Sequence, residues 1–364
     1  MKICFVLPSF PSRPIGGFKI VYQYANELVK RGHVVRVIHP YFMPNHPFPT
    51  KLYAKMKVYL KKIIYTKWMP SPPSFIDWQH IDPRVEMRYV PYLNEKFIPD
   101  NDAIIATAWH TAEIVNSLSN RKGKKFYFIQ GYETWSGPED RVHRTWLYPM
   151  KKIVISSWLK QIGEKLGAED ITLVPNAIDH NKYFKINEVS NRPKRIAMLY
   201  HKGKWKGSTD GIRALELVKQ QIPDIEAVLF GYPERTEEIP EWIEYIQNPS
   251  HEELVFNIYN GSAIYVCPSL SEGWGLPVAE AMACGCAVVS TENGGVQDFA
   301  IHEETALLSP IKDPKKLANN IIRLLRDEKL RVKLAYAGNE KIKQFNFNRS
   351  TDLFEKVLKN ELSY

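Results

Sequence analysis

The chain has 364 residues, which at ~100–200 residues per domain predicts two domains. Hydrophobic residues make up 44% and charged residues 24%, a globular balance that excludes a disordered, collagen-like or fibrous chain. A formal charge of +9 leaves an anionic partner open: nucleic acid, a membrane surface or a phosphate-bearing substrate.

The N-terminal run Lys2 to Leu7 reads as a buried strand rather than a signal peptide, because it carries one lysine and is broken by Pro8. After a Pro-rich loop, Phe18, Ile20, Val21, Tyr24, Ala25, Leu28 and Val29 recur at helical spacing, and Gly32 stands where a helix ends. The apolar run Val34 to Ile38 then completes a strand–helix–strand unit, expected to be right-handed. Further short apolar runs at 103–107, 126–130, 152–156 and 171–174 alternate with helix-like segments, so a parallel, doubly wound sheet is expected. A polar stretch with two prolines follows Val174 and reads as a linker, with the domain boundary near residue 180. A second strand–helix series runs through 195–199, 227–230, 263–267, 286–290 and 306–308, including a helix capped by Asp313 and started by Pro314. Two such domains predict a cleft between them.

Four cysteines (Cys4, Cys267, Cys284, Cys286) are too few for a disulfide scaffold, and Cys284-Gly-Cys286 lacks the second pair of a zinc ribbon. Reduced thiols and a cytoplasmic location are the expectation. No apolar stretch approaches the ~20 residues that span a bilayer, so membrane contact is expected to be peripheral. Residues 51–68 hold six lysines and no acid; Leu52, Met56, Tyr59, Leu60 and Ile63 share one helical face, and Lys51, Lys55 and Lys62 the other. Such a basic amphipathic helix, Lys51 to Trp68, suits either packing on the first domain or docking on anionic headgroups.

The segment Ser269-Leu-Ser-Glu272-Gly-Trp-Gly275-Leu-Pro277-Val-Ala-Glu280 concentrates the chemistry. It reads as a strand end at Cys267, a loop with Gly273 and Gly275, and a short helix opened by Pro277 and closed by Gly285. A helix start above a sheet edge presents free amides and the positive end of its dipole, and the favoured guest is a phosphate. Glu272 and Glu280 are acceptors suited to hydroxyls, so a diphosphate flanked by two polyol rings, a nucleotide sugar, satisfies every group.

Glu272-x7-Glu280, the following Ala-Met-Ala-Cys-Gly-Cys-Ala-Val-Val and Gly294-Gly295 resemble the signature of family 4 retaining glycosyltransferases with the GT-B fold. Weaker matches at Pro8–Gly17, His110, Val174–Asp179 and Lys206-Gly207 extend the resemblance over nearly the whole chain. It implies two Rossmann-like domains, at 1–180 on the acceptor side and 181–348 on the donor side, with a last helix within 349–364 packing back on the first. It implies a sugar transfer from a nucleotide-sugar donor to a glycan or lipid-linked acceptor, without a metal or other cofactor. Glu280 is implied to hold the ribose; Glu272, Gly273, Gly275 and Leu276 the sugar and diphosphate; Gly16 and Gly17 the diphosphate; His110 the sugar. Lys206 is implied to neutralise the leaving phosphate. The family's usual Gly-Arg is replaced by Tyr200-His201, so the lost charge falls to His201, Lys202 or Lys204.

Surface polysaccharide or glycolipid assembly is the implied pathway, and Phe128–Trp135 and Lys152–Trp158 resemble members that build rhamnose-containing polymers. Other readings are a nucleotide-sugar 2-epimerase on the same fold, which needs no acceptor, and a basic nucleic-acid binder, for which no motif is present. Asp100-Asn-Asp102 resembles a metal-binding Asp-x-Asp but precedes its strand, whereas ligands gather at carboxyl ends.

Overall fold

The computed structural model describes residues 1–11, 14–43, 56–57, 60–61, 63–64, 67, 76 and 78–362. The chain forms two compact units, one from 1–155, 159–176 and 347–364, the other from 156–158 and 177–346.

The first unit begins with β1 (Lys2–Val6), α1 (Gly16–Lys30), β2 (Val34–Pro40), β3 (Glu86–Val90), β4 (Ala103–Ala106), α2 (Trp109–Ser117) and β5 (Lys124–Ile129). It continues with α3 (Glu139–Trp146), β6 (Lys151–Val154), α4 (Ser157–Lys165) and β7 (Ile171–Leu173). All seven strands are parallel in the order β3-β2-β1-β4-β5-β6-β7. The inner strands are covered on both faces, which is why they read as unbroken apolar runs. The order reverses between β1 and β4, and the loops that carry Gly16, Gly17 and His110 leave the carboxyl ends of those two strands.

The second unit holds β8 (Arg195–Leu199), α5 (Ser208–Gln221), β9 (Glu226–Gly231), β10 (Glu244–Gln247), β11 (Ile264–Cys267), α6 (Leu276–Ala283) and β12 (Ala287–Thr291). After them come β13 (Leu307–Ser309), α7 (Pro314–Arg326) and α8 (Glu328–Ile342). Its six parallel strands run β10-β9-β8-β11-β12-β13, with the reversal between β8 and β11. The last helix, α9 (Phe347–Leu362), belongs to the first unit: Phe354 is fully buried against Tyr24 at 4.6 Å, and Glu355 pairs with Arg31 at 2.9 Å. Burying a Phe side chain contributes roughly 1.5–3 kcal/mol toward holding α9 on α1.

The long segment of the second unit runs over 177–346, with 156–158 joining it: Ala177 and Ile178 are already buried, and the Ile178 amide donates to the Phe345 carbonyl at 3.0 Å. The expected linker is also packed structure. Tyr183 and Val189 are buried, and the Arg192 guanidinium donates to the carbonyls of Tyr259, Ser262 and Cys284. Its polarity reflects an internal hydrogen-bond hub that satisfies several buried carbonyls at once. Of the expected helix at 51–68, Met56, Lys57, Leu60, Lys61, Ile63, Ile64 and Lys67 are helical and exposed, and the remaining residues lie outside the described set.

Candidate active site

The second unit gathers its chemistry at the β8–β11 reversal, where two loops are zipped together. Gly207 sits in the left-handed region at φ 61°, and a Cβ there would meet the Pro268 carbonyl oxygen at 2.1 Å; the Leu270 amide donates to the Trp205 carbonyl at 2.7 Å. This close approach sets the Lys206 ammonium on both oxygens of Glu272, at 2.7 and 2.9 Å, and Ser269 Oγ donates to Glu272 Oε1 at 2.7 Å. Burial alone would lower the Lys206 ammonium, but the Glu272 charge and its hydrogen bonds raise it above the ordinary lysine range, so it stays charged. The pair faces a small recess shared with Leu199, Pro268 and Pro277.

The Glu272 loop is fixed by what surrounds it. The Glu272 amide donates to the Asn293 carbonyl at 3.1 Å, and a Cβ on Gly295 would meet the Glu272 carbonyl oxygen at 2.7 Å. That contact accounts for one glycine of the Gly294-Gly295 pair. Trp274 turns inward, 2% exposed and packed on Phe299 and Phe345, so the loop offers Glu272 rather than the indole to the recess. Gly275 caps α6 in the left-handed region at φ 90°, where a Cβ would meet Val296 at 2.7 Å. The Val278 and Ala279 amides both turn to the Gly275 carbonyl, and the Leu276 amide is one that a helix start leaves without an intrahelical acceptor. Gly273 and Leu276 are half-buried beside the recess.

Glu280 behaves differently from Glu272. It is 6% exposed on the next turn of α6, accepts from the Tyr259 hydroxyl at 3.2 Å, and does not line the recess that Lys206 and Glu272 share. Tyr259 closes a π-helical turn over Glu253–Tyr259, a geometry often found at functional positions. His201 is engaged in holding its own loop: its Nδ1 accepts the Gly203 amide at 2.8 Å, and its amide donates to Ser208 Oγ at 2.9 Å. Accepting through Nδ1 is a role of the uncharged ring, whereas Lys202 and Lys204 of the same loop are exposed.

In the first unit Gly16 and Gly17 open α1, and the Gly17 carbonyl accepts from Gln130 Nε2 at 3.1 Å. The nearest atoms a Cβ on Gly17 would meet are those of the Gln130 side chain, at ordinary contact distance, so folding does not demand glycine there. His110 is half-buried in the first turn of α2, its ring edge-on to Trp109 at 5.2 Å. Asp100 pairs with Lys122 at 2.8 Å, and Asp102 accepts the Lys2 amide at 2.6 Å, so both acids are held at the amino ends of strands. Among the described residues no cluster of His, Cys, Asp or Glu could hold a metal, and no helix is long and apolar enough to cross a membrane.

Residues 179–341 match the family described as Glycosyl transferases group 1, which spans nearly all of the second unit. Among curated relatives, the N,N'-diacetylbacillosaminyl-diphospho-undecaprenol alpha-1,3-N-acetylgalactosaminyltransferase of Campylobacter jejuni is 36% identical over 101 residues, 27% of each chain. The amylovoran biosynthesis glycosyltransferase AmsK of Erwinia amylovora is 27% identical over 204 residues, 51% of this chain and 50% of its own. The chain thus spans half or less of the length of these two relatives. Among solved structures, the sucrose-phosphate synthase of Thermosynechococcus elongatus superposes with a TM-score of 0.75 at 18% identity, covering 99% of this chain and 98% of its own. The Anabaena protein Alr3699/HepE, solved with UDP and glucose, gives 0.74 at 16% identity, covering 99% of this chain and all of its own. These likenesses show a shared GT-B class fold of two parallel-sheet domains.

Proposed function

We propose that the chain transfers a sugar from a nucleotide-sugar donor with retention of configuration and without a metal, a reading supported by the match of residues 179–341 to the group 1 glycosyl transferases. The supporting observation is the Lys206–Glu272 pair beside the start of α6, at the point where ligands bind in doubly wound sheets. In this reading the donor's diphosphate takes over Lys206 and the Leu276 amide, which meet the charge that develops as the sugar–phosphate bond breaks. Glu272, released from the ammonium, accepts hydroxyls of the transferred sugar. Glu280, with one oxygen on Tyr259, accepts a ribose hydroxyl. Acceptor attack on the face that the diphosphate leaves would retain configuration, the departing phosphate oxygen taking the acceptor proton. Gly16, Gly17 and His110 are the first unit's contribution, His110 as a catalytic residue.

The acceptor is proposed to be a glycan or lipid-linked saccharide in surface polysaccharide or glycolipid assembly, with rhamnose as one candidate sugar. Exposed Met56, Leu60, Ile63 and Ile64 beside Lys57, Lys61 and Lys67 favour an anionic membrane surface as the docking partner on this side. The test of the donor site is a thermal-shift panel of UDP, GDP, dTDP and ADP with their sugars. A ligand at ~100 times its Kd stabilises the native state by about 2.7 kcal/mol. One base is expected to raise the melting temperature of the wild type and not of Glu280→Gln. No shift with any of them overturns the reading.

A further inference from the structure

The aromatic run after β5 ends at Glu133, a residue that the proposed chemistry leaves unused. Its backbone has φ 25°, a sparsely populated conformation for a side chain of this size, and the Thr134 amide donates to the Tyr132 carbonyl across it in a tight three-residue turn. Strain of this kind persists where the surroundings over-determine the conformation, and it gathers at functional positions.

What Glu133 holds is the start of α2. The N-cap of that helix is Ala108, which has no side-chain oxygen to cover the first amides. Glu133 supplies the missing acceptor from another loop: its Oε2 takes the Trp109 amide at 2.8 Å, a carboxylate at the positive end of the helix dipole. A second route runs through the backbone of Glu133. Trp109 Nε1 donates to Ser136 Oγ at 2.9 Å, and Ser136 Oγ in turn donates to the Glu133 carbonyl at 2.8 Å. The indole is closed in from the other sides. The Arg141 guanidinium lies over it at 5.4 Å, and a Cβ on Gly137 would meet it at 2.5 Å. Both the backbone and the ring of Trp109 are therefore pinned, and the ring packs edge-on against the imidazole of His110.

We propose that Glu133 is a positioning residue for His110, fixing the imidazole through the backbone and indole of Trp109. This rests on His110 being catalytic, as above. Burial raises the Glu133 carboxyl from its ordinary value of 4.5 to about 7, against the Trp109 amide and the Tyr127 hydroxyl, which pull it down. Its charged surroundings leave few competitors for that titration. Tyr127 on β5 bonds it, Glu113 on α2 is neutralised by Arg141 at 2.5 and 2.7 Å, and His143 on α3 is tied to Tyr132 at 2.6 Å. Protonation weakens a charge-assisted acceptor, so the hold on α2 loosens as pH falls below neutrality.

The experiment compares wild type, Glu133→Ala, Glu133→Gln and His110→Ala in the full chain, with thermal melts to confirm that each is folded at the assay temperature. Glu133→Ala is expected to lower kcat ~10- to 100-fold with donor KM changed less than ~3-fold, the scale of a catalytic group displaced by about an ångström. Glu133→Gln keeps an acceptor oxygen and recovers most of that loss. The Trp109 amide resonance titrates near neutral pH in the wild type and is flat in Glu133→Gln. Wild-type kcat in folded Glu133→Ala, or a Trp109 amide indifferent to pH in the wild type, overturns the proposal. Full activity in His110→Ala overturns instead the reading on which it rests, and the amide titration still tells the two failures apart.

Discussion

The Lys206–Glu272 pair allows structure and chemistry to be separated by charge removal. At an effective dielectric constant of about 20, opposite charges ~3 Å apart attract by roughly 5.5 kcal/mol, most of it offset by desolvation. The two side chains are 20% and 10% exposed, between the open pairs that contribute almost nothing and the sealed pairs whose breaking costs ~3–5 kcal/mol. Lys206→Met or Glu272→Gln alone should therefore destabilise the second unit by about 1–3 kcal/mol, the Lys206 variant more, because it strands a sheltered carboxylate. The double variant leaves no charge unpaired and should regain most of that stability, so that in a double-mutant cycle the coupling approaches the sum of the two single-variant costs. Catalysis should not follow. Losing one preorganised group that meets developing charge lowers kcat by about 10²–10³-fold, and the double variant should stay as slow as Lys206→Met. The assays are denaturant unfolding of all four proteins and initial rates of sugar transfer at saturating donor. If the double variant recovers kcat together with stability, or if Lys206→Met turns over at the wild-type rate, the pair is a structural tie between two loops and its catalytic assignment falls.

Two further outcomes are expected. His39 is buried at the carboxyl end of β2, its Nδ1 paired with the Ser9 carbonyl at 2.9 Å, and burial lowers it from 6.5 to about 4. Between those values the unfolded chain binds the proton and the native one does not, so stability falls as pH drops below about 6.5. Taken to pH ~4 the loss amounts to about 2–3 kcal/mol, and urea midpoints at pH 7 and 4 should show it in the wild type and not in His39→Gln; equal acid sensitivity in both refutes it. For the exposed segment at 56–67, sedimentation with phosphatidylglycerol vesicles should exceed that with neutral ones, and replacing Lys57, Lys61 and Lys67 by Gln should abolish the difference. Binding that is equal and negligible on both vesicles ends the membrane proposal.

How much of this was legible in the sequence follows from what each residue is surrounded by. The inner strands announce themselves because a parallel sheet covered on both faces demands unbroken apolar runs, as in Ala103–Ala106 and Ala287–Thr291. The edge strands β3 and β10 escape the same reading: Glu86-Met-Arg-Tyr-Val and Glu244-Tyr-Ile-Gln lie half-open and carry charge, as edges do. The polar stretch after Val174 misled for the opposite reason, since a buried guanidinium such as Arg192 looks like surface until its carbonyl partners are seen. In the site, glycine and proline punctuation located the Glu272 loop and the start of α6, because those constraints are local. The partnership of Lys206 with Glu272 crosses two loops and has no local signature. Glu133 had a weak one, an acid in an aromatic run behind an apolar strand. Its meaning depends on Ala108 failing to cap a helix that begins twenty-four residues earlier in the chain. Local rules thus reveal where a site lies, whereas the pairing that sets its charges and aims its side chains is a property of the folded sheet. This is why the charge-removal cycle and the Trp109 amide titration, rather than more sequence, decide between a catalytic and a scaffolding role.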